Sequence, residues 1–104
     1  MTYEEDEALT SAARESLRLV IDPELGENVV DLGLIYRLSV SQDGTAHIEM
    51  TTTTRACPAA DFLKDAVLSA VSQLPEIRDV HVRLTYEPPW VPDMMNADAS
   101  RRLG

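Results

Sequence analysis

At 104 residues the chain fits one domain, and 44% hydrophobic with 26% charged residues is the composition of a folded globular protein. Eighteen Asp and Glu against nine Lys and Arg leave a formal charge of -9, which argues against nonspecific binding to nucleic acid or anionic membranes and favours basic partners. No apolar run approaches the ~20 residues of a membrane span, the acidic start is unlike a secretory signal, and a single cysteine excludes an internal disulfide or a four-cysteine metal site, so a cytoplasmic protein without membrane contact is expected.

Leu9, Ala12, Ala13, Leu17 and Val20 recur at helical spacing behind the acidic run Glu4 to Glu7, whose carboxylates suit a helix N-terminus. Residues 4–20 are therefore predicted helical. Asp22-Pro23-Glu24-Leu25-Gly26 stops that helix, because proline disfavours helical geometry at the residue before it and glycine permits a left-handed turn. A loop follows to Asn28. Beyond Gly33, Leu34, Tyr36, Leu38 and Val40 alternate with Ile35, Arg37, Ser39 and Ser41, the pattern of a half-buried strand. The Asp43-Gly44 pair signals a hairpin, after which Ala46, Ile48 and Met50 alternate with His47, Glu49 and Thr51. Pro58 suits a first helical position, and Leu63, Ala66, Val67, Ala70, Val71 and Leu74 form a stripe, so residues 58–74 are a second predicted helix. After Pro75, Val80, Val82, Leu84 and Tyr86 alternate with Asp79, His81, Arg83 and Thr85 as a third strand.

The order αββαβ implies an α+β two-layer domain, a three-stranded mixed sheet covered on one face by two helices, with strand order left open. Residues 1–104 read as one domain. Its Pro-rich C-terminal extension, residues 87–104, begins Glu87-Pro88-Pro89-Trp90-Val91-Pro92 and cannot continue the sheet, although Asp93 or Asn96 suits the cap of a short helix ending at Arg101 and Arg102.

Chemistry centres on Cys57. With Pro58 as first helical residue, Cys57 would be the N-cap, where the helix dipole favours thiolate, and Arg55 adds a cation. Asp22 and Glu24 would oppose that effect if the fold brings them close. The alternative is a buried, inert thiol at a helix junction. Asp22 with Glu24 is either a docking or proton-handling pair or a helix-terminating turn. The run Thr51 to Thr54 either lines a site with hydroxyls or simply favours strand. His47 and His81 fall on outward strand positions, leaving Cys57 without an evident catalytic base. Trp90 and Met94 are candidates for a partner-binding surface, with coverage of the chain's own core as the alternative for Trp90.

Asp22-Pro23-Glu24-Leu25-Gly26, Asn28, Val30-Asp31-Leu32-Gly33-Leu34-Ile35-Tyr36, Met50-Thr51, Thr53, Cys57-Pro58, Pro88-Pro89-Trp90 and Pro92-Asp93-Met94 together resemble the metal-sulfur cluster assembly factors, which include SufT-like and PaaD-like proteins. The resemblance runs along nearly the whole chain. It implies an iron-sulfur maturation factor of the SUF type, not an enzyme, with Cys57 of the Cys57-Pro58 motif as functional thiol and Asp22, Glu24 and Thr53 around it, while Arg55 is a supporting candidate by its charge alone. It implies as partners the assembly machinery and client apoproteins. Departures are Thr52 and Glu27, where relatives often carry aliphatic residues, and Arg55, where proline is common.

One thiolate cannot hold a four-ligand cluster. No tightly bound cofactor is therefore expected, and an iron-sulfur cluster would be transient cargo, with Cys57 as a metal ligand shared with another chain, such as a homodimer partner or client. Alternatively the domain is an adaptor that binds no cluster. A PaaD-like accessory subunit of a phenylacetyl-CoA oxygenase system is a second reading, disfavoured because the resemblance implies an additional cysteine-rich C-terminal segment for that branch. A thiol enzyme is the third.

Overall fold

The computed structural model describes residues 5–54 and 59–104. Helix α1 spans Glu7–Leu17, three residues shorter at each end than its periodicity suggests. Its start is set by Asp6, whose carboxylate accepts the Leu9 N–H at 2.9 Å, so one acid of the predicted first turn is instead the cap. Glu5 lies just before it, in an antiparallel bridge with Ser41, and Glu4 is outside the described residues.

Strands β1 (Ile35–Val40) and β2 (Thr45–Met50) form the expected antiparallel hairpin around Asp43-Gly44, with Leu38 opposite Ile48 and Val40 opposite Ala46. Thr51 departs from the predicted outward alternation and is fully buried. The strand ends at Met50, and the Thr51 N–H turns back to the Leu34 carbonyl at 2.9 Å, so strand parity no longer decides which way that side chain faces.

Helix α2 spans Ala60–Ser72, with Ala59 as its N-cap. It begins two residues later than expected, and its cap is Ala59 rather than Cys57. Arg55, Cys57 and Pro58 lie outside the described residues. Leu63, Val67 and Val71, spaced four apart, are its buried stripe. Strand β3 (Asp79–Leu84) then pairs parallel with β2, placing His47 beside His81, and α2 supplies the crossover that a parallel pair requires. The sheet order is β1-β2-β3.

Helix α1 packs on β1 and α2 on β3, and the two helices touch each other. Between helices and sheet lie Ala13, Leu17, Leu38, Val40, Ala46, Ile48, Met50, Leu63, Val67 and Val71, the core of an α+β two-layer domain. The opposite sheet face is open, and there the exposed His47 and His81 rings stack with centroids 5.2 Å apart. The extension contains a 3-10 turn at Pro92–Met94 and a third helix, α3 (Ala97–Leu103), capped by Asn96 as one of its two candidates suggested. No helix among the described residues is long and apolar enough to cross a membrane.

Candidate functional site

After α1, Ile21 bridges Asn28 and closes a tight loop between them. Asp22 organises it. Its N–H donates to the Glu27 carbonyl at 2.9 Å, its carbonyl accepts from the Gly26 N–H at 2.8 Å, and its Oδ1 accepts from the N–H groups of Glu24 (2.7 Å) and Leu25 (3.3 Å). That is the turn geometry to which a short carboxylate side chain is suited. Asp22 is only 1% exposed, and its Oδ2 is buried with no hydrogen-bond partner among the described residues. An orphaned buried acceptor is costly and rare in a well-packed fold.

The segment after β2 comes to this loop from the other side. Thr52, the hydroxyl standing at an aliphatic position, is buried and satisfied: its Oγ1 donates to the Thr54 carbonyl at 2.6 Å and lies 3.0 Å from the Tyr86 hydroxyl. Thr53 faces the loop, and its hydroxyl donates to Glu24 Oε2 at 3.2 Å. The fold thus gathers three of the residues expected around the thiol, Asp22, Glu24 and Thr53, although Thr53 is 29 residues from Glu24. Thr54 is the last described residue before Cys57. Among the described residues no three of His, Cys, Asp and Glu gather within metal-ligating reach.

A second cluster, centred on Asp31, escaped the sequence reading. Its carboxylate is almost fully buried and accepts four side-chain bonds: from Arg18 (2.8 Å) and Asn96 (2.8 Å) on Oδ1, and from Asn28 (2.9 Å) and Arg102 (2.9 Å) on Oδ2. The Asn28 hydrogen bond above all, followed by Asn96, Arg102 and the Arg18 charge, holds its pKa below the ordinary carboxylate value against the opposing effect of burial. Arg102 also pairs with Glu27 at 2.7 Å, which gives the second departure from an aliphatic position its structural use. A lone carboxylate inside the apolar run Val29-Val30-Asp31-Leu32 was the available signal, since such a group must find partners when buried.

Trp90 and Met94 are engaged by their own chain. Trp90 Nε1 donates to the Leu32 carbonyl at 2.7 Å and its ring packs on the core. The Tyr36 hydroxyl lies 2.8 Å from the Pro88 carbonyl, to which it donates, and 3.4 Å from Met94 Sδ. Gly33 sits at φ 77° with the Met94 carbonyl directly over its Cα, where no side chain fits. The extension is therefore fastened across the loop that precedes β1.

A family model described as iron-sulfur cluster assembly protein matches residues 10–84. Over 99 residues the chain is 41% identical to the Fe-S protein maturation auxiliary factor YitW of Bacillus subtilis, covering 95% of this chain and 97% of that protein. It is also 41% identical over 86 residues to the Fe-S protein maturation auxiliary factor SufT of Staphylococcus aureus, covering 83% of this chain and 98% of the relative. A crystal structure of a domain of unknown function from Bacillus anthracis superposes with a TM-score of 0.89 at 34% identity, covering 94% of this chain and 93% of that one.

Proposed function

We propose that this chain, which belongs to the iron-sulfur cluster assembly protein family, is a SufT-like maturation factor that acts on client apoproteins through the thiol of Cys57. The observation that carries the reading is the acidic loop of Asp22 and Glu24 bound to Thr53, with a buried unpartnered carboxylate oxygen, beside the segment that runs into Cys57. Hydroxyl and carboxylate oxygens are poor ligands for a soft iron-sulfur cargo and a single thiol is too few, which suits transient contact and not retention. The cluster is cargo, and its other ligands come from a second chain, a client or small thiols, because one cysteine cannot satisfy it. The names borne by the B. subtilis and S. aureus relatives support the maturation role.

The test is aconitase activity per aconitase protein in cells lacking this gene, complemented with wild type or Cys57→Ser. Loss of activity restored by wild type alone is the expected result. Restoration by both proteins would remove the thiol from the mechanism and leave an adaptor, and activity that never falls would overturn general maturation.

A further inference from the structure

A groove of about 700 Å³ runs between the end of α1 and the outer face of α2, lined among the described residues by Leu19, Ile21, Phe62, Ala66 and Leu74 with others, none of them charged. Leu19 and Phe62 are 81% and 61% exposed, values unusual for large apolar side chains, and here they share one depression. The groove adjoins the loop of the candidate site through Ile21, which precedes Asp22, and in sequence Phe62, in the first turn of α2, follows Cys57 by five residues.

Among the described residues the charges on its α2 rim have one sign. Asp61 and Asp65 are exposed beside Phe62 and Ala66 on α2, while Glu15 is paired with Arg18 at 3.4 Å and Glu24 accepts from Thr53. Arg18 is held between Asp31 at 2.8 Å and Glu15 at 3.4 Å, and Lys64 shares the flank of Leu68, four residues on, away from the face that carries Phe62, Ala66 and Ser69. We infer that the groove docks an amphipathic segment of another protein, with apolar anchors seated between the helices and Lys or Arg reaching the carboxylate rim. A second copy of this chain is a poor occupant, because each copy carries a charge of -9. That the segment belongs to a client or assembly protein rests on the maturation role, whereas the groove's selectivity stands apart from it.

The probe is a synthetic leucine-lysine amphipathic peptide with a leucine-glutamate counterpart, titrated into the full chain and followed by amide chemical shifts and calorimetry. Expected are shifts confined to Leu19, Ile21, Phe62, Ala66 and their neighbours, affinity that falls with added salt, and about tenfold or greater weakening in Phe62→Ala and in Leu19→Ser. Leu103→Ser, an exposed apolar position elsewhere, should bind as wild type does. Shifts spread over the open sheet face, undiminished affinity in both groove variants, or equal binding of the glutamate peptide would overturn the proposal. So would concentration-dependent dimerisation abolished by Phe62→Ala. Peptide binding lost in variants that still sustain aconitase would leave the maturation role standing without the groove, whereas intact binding beside a failed Cys57 test would do the reverse.

Discussion

Asp31→Asn turns one carboxylate oxygen into an amide nitrogen at the point where four side-chain donors converge. Each oxygen now accepts from one arginine and one asparagine, so either orientation of the new amide sets its NH2 group against two donors and removes the negative charge that both arginines face. Hydrogen bonds to charged groups are worth about 1.5–3 kcal/mol and neutral ones about 1 kcal/mol. Arg18 and Arg102 are roughly half exposed and can turn to water, which places the net loss at about 2–3 kcal/mol. For a domain of this size that lowers Tm by roughly 8–24 °C.

The assay is urea denaturation followed by far-ultraviolet circular dichroism and by Trp90 fluorescence, a probe anchored on the adjoining Leu32 carbonyl. The native pKa of Asp31 is depressed, so its contribution is complete above the unfolded value of about 3.9 and is lost as the pH falls through that value towards the native one. The difference between wild type and variant should thus be constant from pH 6 to 8 and shrink below about pH 4. A difference under about 1 kcal/mol at neutral pH, or one unchanged down to about pH 3, would refute the view that the Asp31 carboxylate, through Asn96 and Arg102, holds the extension in place.

Trp90→Phe keeps an aromatic ring but loses the pyrrole half of the indole and leaves the Leu32 carbonyl without its donor, for an expected loss of at least about 1–2 kcal/mol by denaturant titration; an unchanged midpoint would mean that water replaces the indole N–H. Gly33→Ala should cost at least about 2 kcal/mol by the same measurement, because φ 77° and the overlying Met94 carbonyl both oppose a Cβ, and a neutral result would show that the extension yields at this point. Leu63→Ala, at a fully buried position of α2, should cost about 2–5 kcal/mol, and a smaller loss would indicate a core that closes around the cavity. Asp22→Asn can retain the turn through its carbonyl while replacing the orphan oxygen, so stability should change by under about 1 kcal/mol while support of aconitase falls; unimpaired support would remove Asp22 from the site.

Short-range pattern was enough to read the helices, the hairpin and the third strand. Side-chain alternation and four-residue spacing are local consequences of strand and helix geometry, as Leu38, Val40, Ala46 and Ile48 or Leu63, Val67 and Val71 demonstrate. Asn96 as a cap and the Asp22 turn were legible for the same reason, since each bond spans three residues or fewer. The family motifs named the candidate residues, but their spacing in the chain does not say which of them touch.

Only the tertiary structure decided that. Asp31 meets Asn96 and Arg102 across 65 and 71 residues, and Thr53 meets Glu24 across 29. It also settled the sheet order, which alternation leaves open because every strand offers the same pleat to either neighbour. The inward turn of Thr51 and the docking of Trp90 on its own chain belong with these: a residue's surroundings beyond the end of a regular element are set by what packs against it, and no periodicity in the chain records that.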